Sequence, residues 1–164
     1  MLILTGEKMG EPNQKMFDHF LNPRNIGIIE NPDGYSQVIN PVNGYRTDIY
    51  IRIENDKITD IKFKTVGCVV TVASASALTM IVKNKTLKEI VDNDHPLLML
   101  LDLLKKELGD VPEKNWHCPP SVILSFFVAL ADYYQKNKDS DRIKKIENTL
   151  KEIQRFFDEE LQKL

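Results

Sequence analysis

The sequence predicts an α+β fold, in which a three-stranded antiparallel sheet packs against a set of helices and an extra amphipathic helix lies at the C-terminus. Three observations support this prediction. Apolar and polar residues alternate between residues 48 and 64, the period becomes helical from residue 68 onward, and a long amphipathic pattern ends the chain. Strands followed by a run of helices are typical of the α+β class.

A β-hairpin is the clearest element of the predicted sheet. Ile49, Ile51 and Ile53 alternate with polar residues, and Ile61 and Phe63 do so again after the polar stretch ENDK. The weaker pattern GYSQVIN predicts a third strand, which we expect to be antiparallel because the connections are short. A short amphipathic helix in PNQKMFDHFLNP precedes the sheet, and NPRNIGIIENPDG between them is predicted to be a loop.

Several helices are predicted after the hairpin. CVVTVASASALTMIVKN is apolar with many small residues and predicts a buried helix, although its β-branched start also allows a strand. TLKEIVDN has Thr86 and Glu89 at the spacing of a capping box. HPLLMLLDLLKKELGD predicts a helix that ends at Gly109, and PPSVILSFFVALADYYQK predicts one with prolines in its first turn.

The C-terminal tail carries one apolar stripe on an otherwise charged helix. The stripe consists of Ile143, Ile146, Leu150, Ile153, Phe157 and Leu164. We expect residues 1–138 to form one α+β domain and residues 139–164 to form an amphipathic helix docked on it. The alternative is a homo-oligomer paired through this helix, because the spacing is close to a heptad.

Composition indicates one ordinary folded domain. The chain has 164 residues with 22 basic and 24 acidic side chains, so no overall basic charge points to nucleic acid. No apolar run approaches the roughly 18 residues of a membrane span. The first residues, MLILTGEKMG, do not have the pattern of a secretory signal, and we therefore expect a cytoplasmic protein.

Cys68 and Cys118 are the two cysteines of the chain, and each lies at the predicted start of a helix. Free backbone N–H groups and the helix dipole at such positions favour the thiolate, which is the form that binds metal or attacks sulfur. His117 adds an imidazole beside Cys118. The two helix starts thus offer three donors of the type used by zinc or iron.

A purely structural interpretation of these residues is also open. Buried free cysteines are common, no CxxC pair is present, and His117 could be a ring hydrogen-bonded to backbone. A structural disulfide is not expected in a reducing compartment. An enzymatic alternative uses Cys118 as nucleophile or persulfide acceptor, with His117 as base. We expect His19 and His95 to be surface residues.

Several motifs resemble the IscU/NifU-type iron–sulfur cluster assembly scaffold family. FDHFLNPRNIG, FKTVGC, the small-residue stretch TVASASALT, WHC and ALADY occur in the order and spacing of that family, over residues 16–134. The resemblance implies an α+β fold and a site where three cysteines, joined by a His or an Asp, hold a nascent [2Fe–2S] cluster or zinc. It matches Cys68, His117 and Cys118 to that site, and it implies a cysteine desulfurase that delivers persulfide sulfur.

The chain departs from the family pattern at two ligand positions. The family's Pro-x-Cys-Gly-Asp turn is PVNGYR here, so Asn43 stands at the cysteine position and Tyr45 at the aspartate position. Asn is a poor ligand, and Tyr binds iron only when deprotonated. An ordinary Asn-Gly turn is the simpler interpretation of Asn43. Asp48 lies too late in the sequence to be assigned, and the family's chaperone-recognition stretch, Leu-Pro-Pro-Val-Lys, is VPEKNW here.

The sequence therefore predicts a divergent, non-enzymatic scaffold-type protein of iron–sulfur cluster assembly. It would bind iron, zinc or a [2Fe–2S] cluster through Cys68, His117 and Cys118, with water, a partner or a second copy completing the coordination. The alternative is a non-scaffolding paralogue that binds or regulates a cysteine desulfurase or another assembly protein, with its cysteines merely packed. No nucleic acid or membrane is expected as a partner.

Overall fold

The computed structural model describes residues 11–164 and confirms the predicted α+β fold. Three strands form one antiparallel sheet in the order β1-β2-β3, and helices pack against it. The elements in chain order are α1 (Glu11–Leu21), β1 (Gly34–Ile39), β2 (Arg46–Glu54), β3 (Lys57–Val66), α2 (Val69–Val82), α3 (Leu87–Val91), α4 (Pro96–Leu108), a 3-10 turn (Glu113–Asn115), α5 (Cys118–Lys136) and α6 (Ser140–Gln162).

The hairpin of β2 and β3 forms as its alternating pattern predicts. Ile51 lies opposite Ile61 in the register, and both are fully buried on the face toward the helices. The connection turns at Asn55 and Asp56, whose φ angles are 52° and 59°. Two successive positive φ angles suit the right-handed twist of a tight hairpin, and Asn and Asp tolerate this conformation well.

Two central helices cover the sheet. Helix α5 packs on β1 and β2, whereas α2 packs on β3 and also contacts α1, α4 and α5. Because α2 is surrounded in this way, small side chains are buried on all its sides, and the segment is a helix rather than the alternative strand. Strand β1 approaches α5 closely, since a Cβ atom at Gly34 would collide with the carbonyl oxygen of Ala129.

The segment between α1 and β1 is irregular but ordered by hydrogen bonds. The Gly27 N–H donates to the Phe63 carbonyl over 2.9 Å, and the Phe63 N–H donates to the Asn25 carbonyl over 3.1 Å. The Asn25 side chain also donates to Thr79 on α2, and the backbone N–H of Arg24 donates to Ser76. The motif NPRNIG therefore joins the edge of β3 to α2.

Helix α6 lies against α3, α4 and α5. Its apolar stripe faces these helices, with Ile146, Ile153 and Phe157 buried and the two other helical members partly buried. The prediction that Leu164 belongs to the stripe is wrong. The helix ends at Gln162, and Leu164 is 85% exposed beyond it.

The prediction that His19 is a surface residue is also wrong. His19 is 2% exposed, because its face of α1 turns toward α2 and α4. Its Nδ1 atom lies 2.8 Å from Ser76 Oγ, and its Nε2 atom lies 2.9 Å from Glu107 Oε1. His95, by contrast, is exposed as predicted.

Within residues 11–164, none of the helices combines the length and apolar character needed to cross a membrane. The first ten residues, on which the prediction about a secretory signal rests, lie outside the described part of the chain.

Candidate functional site

The fold brings the two cysteines together although fifty positions separate them. Cys68 is the N-cap of α2, Cys118 is the first residue of α5, and their Sγ atoms lie 3.8 Å apart. The chain passes directly from β3 into α2 at Gly67, where a Cβ atom would lie 2.8 Å from the side chain of Thr71. This close packing holds Cys68 at the point where the two helices begin.

The two thiols differ in exposure and in their neighbours. Cys68 is partly exposed, whereas Cys118 is completely buried behind it. The Thr71 hydroxyl lies 3.5 Å from Cys68 Sγ, and the Asn115 amide donates to the same sulfur over 3.7 Å. Cys68 is therefore the sulfur that is accessible from outside, and it is surrounded by hydrogen-bond donors.

The thiols also differ in ionisation. A hydrogen bond from the Cys118 thiol, helped by Thr71, lowers the pKa of Cys68 to about 5. The same hydrogen bond, together with burial, raises the pKa of Cys118. The thiolate expected at both helix starts therefore forms at Cys68 alone, because the pair shares one proton and Cys118 keeps it.

His117 is the third predicted donor. It is the N-cap of α5 and lies beside Cys118. Its Nδ1 atom is 3.7 Å from Cys118 Sγ and 2.9 Å from the side-chain nitrogen of Asn40. The Asn40 oxygen accepts the Val42 N–H over 2.9 Å, which orients the amide so that its N–H donates to His117. Nδ1 is therefore the unprotonated ring atom, and burial lowers the pKa of His117, which favours the neutral ring.

Asn40 is the site residue that sequence reasoning missed. It is 3% exposed and lies where β1 ends, before Pro41. An Asn-Pro pair indicates a turn, but it does not indicate that the amide reaches a histidine 77 positions later. The sequence thus predicts the turn at Asn40 but not its contact with His117.

Within residues 11–164, no hydrogen bond joins Asn43 or Tyr45, at the two displaced ligand positions, to either thiol. Both residues are exposed on the turn between β1 and β2, where Asn43 Oδ1 accepts the Tyr45 N–H over 3.0 Å. Gly44 between them has a φ of 77°, so the segment has the contacts of an ordinary turn. Asp48, which was not assigned as a ligand, instead forms an ion pair with Arg46 through both carboxylate oxygens.

The two sulfurs have a separation that suits a shared metal ion. Two thiolates bound about 2.3 Å from one tetrahedral ion lie about 3.8 Å apart, which equals the distance between Cys68 and Cys118. Across residues 11–164, however, no group of three or more His, Cys, Asp or Glu side chains is arranged to hold a metal ion. The arrangement offers two sulfur ligands and a nearby imidazole whose free electron pair is hydrogen-bonded to Asn40.

Trp116 connects this site to the C-terminal helix. Its ring lies edge-on to His117, with the centroids 5.6 Å apart, and it also packs on Phe156 and Phe157 of α6 at 6.0 and 5.7 Å. The start of α5, which carries His117 and Cys118, is therefore in contact with α6 through Trp116.

Known proteins share this sequence pattern over most of its length. The family model described as the NifU-like N terminal domain matches residues 11–140. A relative named iron–sulfur cluster assembly scaffold protein IscU 1, from Archaeoglobus fulgidus, is 39% identical over 82% of this chain and 84% of its own length. The protein IscU from Aquifex aeolicus, also named a scaffold protein, is 36% identical over 87% of this chain and 88% of its own length.

A solved structure has the same fold. The crystal structure of a candidate iron–sulfur cluster assembly scaffold protein for the SUF system, from Fervidobacterium islandicum, aligns with a TM-score of 0.56. The alignment covers 71% of this chain and 94% of that protein, at 19% identity. At this identity the likeness concerns the fold alone.

Proposed function

Since the chain belongs to the family of NifU-like N-terminal domains, we propose that it acts as a scaffold in iron–sulfur cluster assembly through Cys68, His117 and Cys118. The observation that carries this proposal is the 3.8 Å separation of the two cysteine sulfurs at the starts of α2 and α5. Cysteine thiolates bind iron ions, zinc ions and iron–sulfur clusters alike. The role is that of a binding protein rather than an enzyme.

The cargo that suits this site is iron, zinc or a [2Fe–2S] cluster. A cluster needs four protein ligands of the thiolate or imidazole type, and the chain supplies at most three here. Asn43 and Tyr45 lie on the exposed turn between β1 and β2, and neither is a ligand of the thiolate or imidazole type. We infer that water, a partner or a second copy provides what is missing, and that a single iron or zinc ion is held more readily than a whole cluster.

His117 joins the ligands only if the contact with Asn40 changes. Binding through Nδ1 displaces the Asn40 amide, and binding through Nε2 moves the ring proton to Nδ1, where it would face the Asn40 N–H. In either case one hydrogen bond is given up. Cys68 and Cys118 are therefore the primary ligands in this proposal, and His117 is the conditional one.

The partner we propose is a cysteine desulfurase that delivers sulfur to the partly exposed Cys68. The enzymatic alternative, with Cys118 as nucleophile, is less suited to the geometry because Cys118 is completely buried and the free electron pair of His117 is engaged by Asn40. A cytoplasmic location and an oligomer through α6 remain predictions.

Anaerobic reconstitution tests the scaffold proposal. The purified chain is incubated with ferrous iron and sulfide, or with zinc, and bound metal, acid-labile sulfide and visible absorption are measured after desalting. We expect metal in the native chain and at least a tenfold loss of affinity, about 1.4 kcal/mol or more, in Cys68→Ala and Cys118→Ala. Equal retention of metal by the native chain and both variants would overturn the proposal.

The alternative, a paralogue that only binds an assembly protein, makes a different prediction. Its affinity for a cysteine desulfurase would be unchanged in a Cys68→Ser, Cys118→Ser double variant, and the native chain would hold no metal through its thiols. Calorimetric titration of the desulfurase with both chains separates the two functions, because the scaffold proposal requires thiol-dependent metal in the same preparations.

A further inference from the structure

We propose that the Cys68–Cys118 pair converts sulfane sulfur to sulfide by itself. The two cysteine sulfurs supply both electrons, and an external reductant is needed only afterwards, to restore the thiols. Cys68 accepts the sulfur as a persulfide, and Cys118 then displaces it as sulfide while a disulfide forms between the two residues. The inference rests on the proposed function in one respect, which is that a persulfide donor delivers sulfur to this site.

Exposure assigns the two roles. A donor persulfide must reach the accepting sulfur, and Cys68 is partly exposed at the end of the sheet. Cys118 is completely buried, so a donor outside the protein cannot reach it. Cys118 lies 3.8 Å behind Cys68, which is contact distance for two sulfur atoms and places it beside the sulfur that it must attack.

The chemistry balances over two steps. In the first, the Cys68 sulfur attacks the outer sulfur of a donor persulfide, the donor leaves as a thiol, and Cys68 carries the transferred sulfur. In the second, Cys118 Sγ attacks Cys68 Sγ, the bond from Cys68 to the outer sulfur breaks, and that sulfur leaves as hydrogen sulfide with the Cys118 proton. The transferred sulfur gains two electrons, and the two cysteine sulfurs lose two.

The disulfide product needs a further approach of the two sulfurs and is temporary. A disulfide requires an S–S separation of about 2.05 Å, so the two side chains must approach by rotation from their present contact. An external dithiol reductant then restores both thiols by exchange. The pair thus alternates between a dithiol that can bind metal and a disulfide that cannot.

The chain contains only one pair of cysteines that could transfer and release the sulfur. The sequence contains two cysteines, and the position of the family's first cysteine is Asn43. Within the chain, a persulfide on Cys68 therefore has Cys118 as its one thiol for displacement. Sulfide would be released beside Cys68 and Cys118, where the proposed function places the metal.

Mass spectrometry of the reduced, metal-free chain tests the proposal. The chain is treated anaerobically with one equivalent of glutathione persulfide, and free sulfide is measured in parallel. We expect about one sulfide per native chain and a disulfide form lighter by about two mass units. In Cys118→Ser we expect a stable persulfide on Cys68, heavier by about 32 mass units, with at least a tenfold lower yield of sulfide.

Controls keep the outcomes distinct. Cys118→Ala is a second variant in case a buried serine disturbs folding, which circular dichroism checks, and Cys68→Ser should take up no sulfur. A native chain that keeps its persulfide, or one that takes up no sulfur, overturns the inference. If the native chain binds iron in reconstitution but keeps its persulfide, this inference alone is overturned. If the native chain releases sulfide but binds no metal, the proposed function alone is overturned.

Discussion

Cys68 and Cys118 both lie at the start of a helix, yet they differ in protonation because of their contact with each other. The helix dipole favours a thiolate at both positions. The hydrogen bond across 3.8 Å lets one sulfur carry the charge while the other keeps the proton, and burial of Cys118 together with the Thr71 donor assigns the charge to Cys68. The exposed sulfur is consequently the ionised one.

This difference predicts a pH-dependent reactivity of Cys68. Since its pKa is lowered to about 5, the thiolate dominates at neutral pH and is lost as the pH falls through that value. We expect Cys68 to react with iodoacetamide well below the pH range of an ordinary thiol, with Cys118 protected. Ultraviolet thiolate absorbance, titrated in the native chain and in Cys68→Ser, measures the transition.

Cys118→Ala provides the control for that titration. It removes the largest cause of the shift, so the pKa of Cys68 should rise toward its ordinary value. An unchanged titration in Cys118→Ala would show that the helix start or Thr71, rather than the neighbouring thiol, ionises Cys68.

Asn40 makes a second prediction at the scale of single residues. Its amide donates to His117 Nδ1, which holds the ring proton on Nε2. Asn40→Asp places a carboxylate there, which stabilises the protonated ring, so we expect the pKa of His117 to rise. Nitrogen-edited NMR spectra report both tautomer and pKa, with His117→Gln to assign the signals. An unchanged pKa in Asn40→Asp would contradict the assigned contact.

Individual helices and strands were predictable from the sequence where their signals are local. The capping box of Thr86 and Glu89 forms with both of its hydrogen bonds, and α4 ends at Gly109 with a φ of 77°. The alternation of Ile49, Ile51 and Ile53 places all three on the buried face. Each of these signals involves residues within a few positions of one another, which is why a pattern can show them.

Contacts between elements could not be predicted in this way. The pairing of Ile26 with Phe63 uses backbone groups alone, so no side-chain period marks it. His19 meets Ser76 and Glu107, which are 57 and 88 positions away. A polar residue on a short helix indicates the surface by default, and only the packing of three helices reveals that His19 is buried between Ser76 and the partly exposed Glu107.

At the scale of the whole molecule, the site depends on how two distant helix starts meet. Periodicity places Cys68 and Cys118 at their helices but says nothing about the distance between them. The family resemblance predicted their proximity, and the structure shows it as 3.8 Å between the sulfurs. Neither the periodicity nor the family resemblance predicted the contact of Asn40 with His117, because this contact depends on where β1 ends relative to α5.

Helix α6 extends the fold beyond the matched family region of residues 11–140 and supports the site through Trp116. If it is an integral part of the folded body, loss of one buried contact should destabilise the whole chain. Phe157 is 2% exposed and packs on Trp116. We expect Phe157→Ala to lower the free energy of unfolding by about 3–5 kcal/mol, whereas Leu161→Ala, 40% exposed on the same helix, should change it by about 0.5 kcal/mol or less.

Denaturant titration followed by two signals measures this effect. Trp116 is the single tryptophan of the chain, so its fluorescence reports on the contact with α6, while circular dichroism reports on all helices. Coincident transitions that shift together in Phe157→Ala indicate that α6 unfolds with the rest. A shift that depends on protein concentration would instead show that α6 docks on a second copy. An unchanged midpoint in Phe157→Ala would contradict docking in either form, because a buried aromatic ring cannot be removed from a packed interface without cost.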